Sequence, residues 1–437
     1  MVRDYHFVMN RTSRTLLIMC DSLRRDLLTQ DSAPHLFRLM RSSCEFVEAR
    51  GVFPSTTRTS SASISTGCLP ARHGLLGNTV VLNERDGLRC RSVGDPQFRE
   101  HLLRATGRTL KVPTLAEHVA QHGGAVIMSN VSAGAAYFFD PDGHGFVYHR
   151  AGSYGPGRVA IDGDEALRIA SGSAGDAVMT DRFCARLLGS DAPAVATLWL
   201  SEPDHSGHGH SLGSPAHMAG IAAADRCVAQ VSAVVKILRD RGENILFMVA
   251  SDHGMESVHA QVPVVDLLVE AGLKESRDSH DVVLAPNGSA FVLGLAPYAQ
   301  NRIPQIEAFL REQDWFGSIH YGAALADIGL PVDDPCCAVA VAMAHRMTAN
   351  EHGVRGSTWI VDDPQDTKNY LGCGQHGGLG PFEQSPFLML DGGGFKAGLR
   401  TSHPASLIDF APTMLRHLGL SATGMDGGAL PFAPDLI

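Results

Sequence analysis

Three apolar runs in this chain each lead into an aspartate, and that pattern restricts the fold more than any other feature. Thr15 to Cys20 ends at Asp21, and Ala194 to Leu200 is followed within a few residues by Asp204. Asn244 to Ala250 leads into Ser251-Asp252-His253-Gly254. Short apolar runs bounded by polar residues read as buried strands, although a piece of buried helix looks the same. The Asp-Ser-Leu-Arg-Arg after Cys20 favours a strand, because the chain must stop and turn there. Ala125 to Met128 adds a further strand. Helical signals lie between the strands: Ser32 as a cap with Pro34 in the first turn, and a Ser/Thr-rich start over 57–67. Leu212 to Leu238 is Ala-rich with helical periodicity, and Ala405 to Leu418 reads as an amphipathic helix. Strands alternating with helices predict an α/β fold with a mostly parallel central sheet flanked by helices on both faces. Ligands of such sheets bind beyond the carboxyl ends of the strands. Three carboxylates gathered at one sheet edge are therefore the first functional signal.

The rhythm breaks near residues 260–370, which read as an insertion, and a second irregular stretch covers about 84–190. The expected partition is a catalytic α/β core of 1–260 and 370–437, with 261–369 as an inserted cap subdomain. Residues 1–15 are polar and begin as a loose arm. Of the 437 residues 44% are hydrophobic and 19% charged, enough apolar material to exclude a mainly disordered chain. The net charge of −10 argues against binding a nucleic-acid polymer, which needs Lys/Arg patches. Nine cysteines, with no CxxC pair, do not form a disulfide framework. The longest early apolar run, Leu16 to Cys20, is far too short for a signal core or a membrane span. These features predict a reduced, cytoplasmic protein with no membrane partner, and leave a homo-oligomer open.

Histidine is the informative excess, with 21 copies, several beside Asp and Gly. Four segments concentrate acids and imidazoles: Cys20-Asp21-Ser22, Glu202 to His208, Ser251 to Gly254, and Gly374-Gln375-His376-Gly377-Gly378. Mixed Asp and His donors suit Zn²⁺ or Mn²⁺ better than Mg²⁺, which prefers oxygen alone. Asp204 and His208 are four apart, so a helical turn puts both on one face. Each segment alone is weak, since Asp-His-Gly is also a common turn and Asp21 a common cap. Together, at strand ends, they describe a candidate site for two metals.

A fifth segment supplies a reacting group: Phe53-Pro54-Ser55-Thr56-Thr57-Arg58, then Thr66-Gly67, Pro70, His73-Gly74 and Asn78. At this point the chain resembles the alkaline phosphatase superfamily, and within it the nucleotide pyrophosphatase/phosphodiesterase branch. That branch carries Phe-Pro-x-x-Thr, a Thr-Gly and a Pro-x-x-His-Gly downstream. The resemblance places the nucleophile on Thr57 and an oxyanion donor on Asn78. It implies one metal held by Asp204, His208 and His376, and another held by Asp21, Asp252, His253 and Thr57. It also implies an alkaline-phosphatase-like fold, a covalent phospho-threonine, and two divalent ions, Zn²⁺ by default with Mn²⁺ as the alternative. Physics supports these roles. A threonine hydroxyl is a poor nucleophile near neutral pH until a metal lowers its pKa. Two metals about 4 Å apart stabilise both the attacking and the leaving oxygen of an in-line displacement.

Cys68-Leu69-Pro70-Ala71-Arg72 imitates the modified-cysteine motif of the related sulfatases. In that family the cysteine precedes the Thr-Gly pair by nine residues; here nine residues before Thr66 is Thr57, and Cys68 lies after the pair. Cys68 therefore reads as a small buried residue. Arg58 departs from the branch, which often has an aromatic residue there, and is a candidate contact for a second anionic group of the substrate. Tyr137, Phe138, Phe139 and Tyr154 read as core rather than as a base-stacking slot. His205, Gln375 and Glu383 are candidates for orienting the ligands, whereas His210, His217 and His345 read as solvent-facing. The expected substrate is a small phosphoryl or phosphonate compound, a phosphodiester first. The rivals are a phosphonate hydrolase (similar to phosphonoacetate hydrolase), a phosphomonoesterase, a phosphomutase and, outside catalysis, a metal-stabilised binding protein.

Overall fold

The computed structural model describes residues 13–432, apart from 365 and 367. Most of the expected N-terminal arm lies outside the described residues, and the chain is already strand at Ser13.

Strand Ser13–Cys20 lies inside a ten-stranded sheet. It pairs in parallel with Asn244–Ala250 on one side and Val195–Leu200 on the other. Beyond Val195–Leu200 come Ala125–Ser129 and Phe146–His149, both parallel. On the far side, Leu388–Gly392 runs antiparallel between Asn244–Ala250 and Cys44–Arg50. Cys44–Arg50 then pairs in parallel with the edge strand Arg400–Ser406. Leu16, Leu17, Ile18 and Met19 are all fully buried, as a strand covered on both faces requires. Leu17 and Met19 share one face with Ile64, Ala135 and Met414 of the helices Thr57–Thr66, Ala133–Phe138 and Phe410–His417. Leu16 and Ile18 face Leu36, Met179 and Val228 of Pro34–Ser42, Gly172–Leu188 and Pro215–Asp240. The predicted α/β architecture with helices on both faces is the one observed.

Several local expectations need correction. The first helix is capped by Ala33, not Ser32; the Ser32 hydroxyl instead bonds Leu27 C=O and the Thr29 N–H. The stretch 84–190 is not irregular: it holds four strands of the central sheet, Ala125–Ser129, Phe146–His149, Ser153–Gly155 and Val159–Ile161, and the helix Gly172–Leu188, whose Gly/Ala-rich start hid its periodicity. Ala405–Leu418 is not one helix. Its first residues finish the strand Arg400–Ser406, and a capping box between Ser406 and Asp409 then starts the turn that leads to Phe410–His417.

Residues 256–375 stand apart from the central sheet in two four-stranded sheets. One contains Glu256–Val262, His345–Ala349, Arg355–Val361 and Gly374–Gln375; the other contains Val282–Pro286, Ala290–Leu295, Phe316–Tyr321 and Val339–Met343. The hairpin Val282–Leu295 turns at Asn287-Gly288-Ser289. Among the described residues no helix is long and apolar enough to cross a membrane.

Several histidines are structural. His217 is buried rather than solvent-facing, and its Nδ1 accepts from Gly213 N–H. His73 Nδ1 accepts from Leu75 N–H and its Nε2 meets Ser63 Oγ at 2.9 Å. His149 Nδ1 accepts from Ala151 N–H, and its Nε2 donates to Val131 C=O. Burial pulls His73 down to about 3, helped by Lys111, and pulls His149 and His217 down to about 4. These folded-state values lie below those of the unfolded chain, so the unfolded state binds the extra protons first. Stability is full above about pH 6.5 and falls as the pH drops toward 4, at about 1.4 kcal/mol per pH unit for each histidine. Urea melts between pH 7.5 and 5 should show this loss, reduced in His73→Asn. Leu16→Ala, at a site filled from both neighbouring strands, should cost about 2–5 kcal/mol in the same melts.

Candidate active site

The carboxyl edge of the parallel strands faces a cleft of about 920 Å³. Asp21, Asp204, Asp252 and His253 arrive there directly from three adjacent strands. Asp21 follows Cys20, Asp252 and His253 follow Ala250 by one residue, and Asp204 opens the short helix Asp204–Gly207 after Leu200. That helical turn delivers His208, whose N–H bonds Asp204 C=O and whose Nε2 lies 3.3 Å from Asp204 Oδ1. His376 comes from outside the sheet, just after Gly374–Gln375, and stacks on His253 with ring centroids 3.8 Å apart.

His253 is the hub. Its Nε2 lies 3.1 Å from Asp252 Oδ2, 3.6 Å from Asp21 Oδ1 and 3.2 Å from Thr57 Oγ1. One N–H cannot serve three oxygens, and neither carboxylate oxygen has a hydrogen-bond partner although both are buried. A buried charge without a partner is costly unless a cation neutralises it. The electrostatics agree. Burial pushes the Asp21 carboxyl well above its ordinary range, and Asp252 and Asp204 push it further. Burial also raises Asp204, but His208, backed by His376 and His253, outweighs it and holds that carboxyl low. Two donor groups have their atoms within 4.8 Å of one another: Asp21, Asp252 and His253, and Asp204, His253 and His376. The imidazoles are turned for ligation. His376 Nδ1 donates to Ser55 C=O at 2.8 Å, and His208 Nδ1 to Gly374 C=O at 3.1 Å, so each frees Nε2. The expected division of ligands differs in one respect: His253 borders both groups, while His208 joins the second only through Asp204.

Thr57 begins the helix Thr57–Thr66, with Thr56 as its extended cap residue, so Oγ1 sits at the helix N-terminus beside His253. Asn78 Oδ1 accepts from Arg58 N–H at 3.3 Å, one residue past Thr57. Arg58 itself is used internally. Its guanidinium donates to Asn78 C=O at 2.7 Å, Ser132 Oγ at 3.2 Å and Ser92 Oγ at 3.4 Å. Burial pulls its pKa down to about 10. The structure brings Arg58 to the cleft wall, as a brace on Asn78. His205 lies exposed at the rim against Gly172, and Cys68 is buried with its thiol pKa raised by burial. Glu383 accepts from Ser289 Oγ and Gly378 N–H, and so supports the glycine loop after His376. Tyr137, Phe138, Phe139 and Tyr154 sit in or against the hydrophobic core.

Two contributors escaped sequence reasoning. Ser22 sits at φ 61°, donates its hydroxyl to Asp204 Oδ1 at 2.7 Å, and gives its N–H to Asp252 Oδ1 at 3.2 Å. It ties two carboxylates together, and a positive φ at serine leaves no mark on the sequence. Asn287, at the hairpin tip, accepts the Asn78 N–H on Oδ1 at 2.6 Å. Its Asn-Gly pair between two apolar runs is a legible turn signal, but the partner across the cleft is not.

The family model of type I phosphodiesterase/nucleotide pyrophosphatase matches residues 15–325. The chain belongs to this family. The match includes Thr57, Asn78 and every metal-ligand candidate except His376, which the fold brings in from beyond it. This phosphodiesterase-family chain is similar in structure to murine ectonucleotide pyrophosphatase/phosphodiesterase 5 in an inactive form complexed with AMP. That match has a TM-score of 0.67 at 15% identity, covering 95% of this chain and 97% of the murine one. The human counterpart gives 0.66 at 14% identity, covering 95% and 97%. A comparison with curated protein sequences finds no match. At such identities the likeness establishes the fold; the family match carries the general assignment to hydrolysis of phosphodiester bonds.

Ser22→Ala removes a hydrogen bond to a candidate ligand and is expected to weaken divalent-metal binding about 10–100-fold, read by competition with a chelator.

Proposed function

We propose that this chain is a two-metal hydrolase of phosphodiesters that acts through a covalent phospho-Thr57. The observation that carries the reading is Thr57 Oγ1 at a helix N-terminus, 3.2 Å from a histidine that borders both donor groups. Asp21, Asp252 and His253, with Thr57, would hold one ion; Asp204, His208 and His376 would hold the other. Zinc suits three imidazoles, and manganese is the alternative. Such ions, when bound, lower the pKa of the nucleophile and offset charge on the phosphoryl oxygens.

The chain's own groups account for the rest. Thr57 Oγ forms the new O–P bond as the leaving oxygen departs on the opposite side, and water then cleaves the phospho-threonine and restores the hydroxyl. Asn78, with Oδ1 engaged by Arg58 N–H, has its amide NH₂ left to donate to a non-bridging oxygen as charge gathers there. The N-terminus of the helix Thr57–Thr66 favours the same anion. Residues 261–369 act as the cap over the core of 1–260 and 370–437, a reading supported by Gln261, Asn287, Val361 and Lys368 in the cleft wall. The nine unpaired cysteines support a reducing, cytoplasmic setting.

A second reading, cleavage of a phosphonate or phosphate that bears another polar group, is favoured by one observation. Tyr370 is the one aromatic residue in the cleft wall among the described residues, and Lys368 Nζ lies 4.8 Å from its ring centre. A nucleotide base has no pair of rings to lie between.

With zinc-loaded protein, bis-p-nitrophenyl phosphate is expected to be cleaved faster than p-nitrophenyl phosphate or phosphonoacetate. Thr57→Ala should lower kcat at least about a thousandfold while keeping its bound metal. Preference for phosphonoacetate moves the function to the second reading; metal binding with no turnover of any substrate contradicts both. Asn78→Ala should lower kcat about 100–1,000-fold with KM little changed.

A further inference from the structure

Five neighbouring parallel strands empty onto one edge of the central sheet, and the metal-ligand candidates use three of them. The other two lead to Asn130, directly after Ala125–Ser129, and Arg150, directly after Phe146–His149. Both line the cleft. Arg150 stands two strands beyond Val195–Leu200, about 10 Å across the sheet.

Arg150 is pinned on one side. Its Nη1 donates to Asn130 C=O, to Asn130 Oδ1 at 2.9 Å and to Val131 C=O at 3.0 Å. Asn130 is fixed in turn, because its amide donates to Asp176 Oδ1 at 2.8 Å and Gly172 C=O at 3.3 Å. The loop carrying Arg150 is tied down on both sides by His149 Nε2 on Val131 C=O and Tyr137 OH on Gly152 C=O. Nε and Nη2 of Arg150 have no hydrogen-bond partner among the described residues, and the side chain is exposed on the cleft wall. A guanidinium held through one nitrogen presents the other two as a planar fork, the geometry that receives a carboxylate or phosphate bidentately. Little ordering remains to be done when an anion arrives.

We propose that Arg150 is a specificity-determining residue that receives a second anionic group, a carboxylate or phosphate, on the arm of the substrate several bonds from the reacting phosphorus. The inference rests on the reading of Thr57 and the metal groups as the phosphoryl site. It assigns to Arg150 the part that the sequence suggested for Arg58, whose Nε and Nη1 are engaged by Ser132, Asn78 and Ser92.

The test is calorimetric and needs no turnover. Zinc-loaded Thr57→Ala protein is titrated with a series of n-alkyl phosphates of increasing length and with their ω-carboxylated counterparts. At one spacer length the carboxylate should tighten binding at least about tenfold over the plain chain. Arg150→Gln in the same background should bring that ratio near one, and Arg150→Lys should leave only part of it. The ω-carboxylated ligand should also protect Arg150 from phenylglyoxal in otherwise unmutated protein, mapped by mass spectrometry, where the plain alkyl phosphate does not. This second readout holds if Arg150→Gln fails to fold. A ratio near one at every length, a ratio that survives Arg150→Gln, or equal protection by both ligands overturns the proposal. Turnover is measured separately. Loss of hydrolase activity with the ratio intact removes the proposed reaction and keeps the anion site; active hydrolysis with no ratio does the reverse.

Discussion

Three carboxylates at one sheet edge, two of them fully buried, repel one another, and the rest of this structure is arranged around that repulsion. Asp21, Asp204 and Asp252 arrive from adjacent strands because the sheet is parallel there, and parallel strands aim their ends the same way. Two of the three carry buried oxygens with no hydrogen-bond partner, Asp21 Oδ1 and Asp252 Oδ2. Without compensating charge such an arrangement opposes folding of the edge it occupies. His253, His376 and His208 compensate in part, and the way each Nδ1 meets a carbonyl shows an imidazole set to offer Nε2 inward. The same feature that costs the fold stability makes the site a place for cations.

The surrounding parts hold that edge in register. Ser22 joins Asp204 to Asp252 across two strands. Arg58 and Asn287 clamp Asn78 from opposite sides, one from the nucleophile helix and the other from the tip of a hairpin outside the central sheet. The hairpin also reaches His376, since Ser289 N–H bonds His376 C=O and Gly288 C=O accepts from Val361 N–H. A Cβ on Gly377 would lie 1.7 Å from Asn287 C=O, so the close approach of the two loops requires glycine. The two smaller sheets thus contribute to the alignment of the site as well as to its walls.

Much of this was legible in the residues. Buried parallel strands are written as uninterrupted apolar runs, so Thr15–Cys20 and Asn244–Ala250 announced both themselves and the acids that follow. The spacing of Asp204 and His208 spelled out their helical turn. What stayed hidden depends on contacts between distant segments or on unusual backbone. Ser22 at positive φ, the clamp of Asn287 on Asn78 and the burial of His217 have no local signature. The edge strand Arg400–Ser406 was hidden because its apolar and polar residues continue smoothly into a helix. Arg58 stands out beside Thr57 in the sequence, but its contacts depend on Ser92 and Ser132, which no motif connects to it.

The central claim is a double displacement at phosphorus with Thr57 as the intermediate nucleophile. Each in-line displacement inverts the phosphorus centre, so two leave it unchanged. The most direct test is hydrolysis of a chiral phosphorothioate diester in oxygen-18 water, with the configuration of the product read by phosphorus NMR. The account predicts net retention. Inversion would mean that water attacks phosphorus directly, and would contradict the covalent role of Thr57.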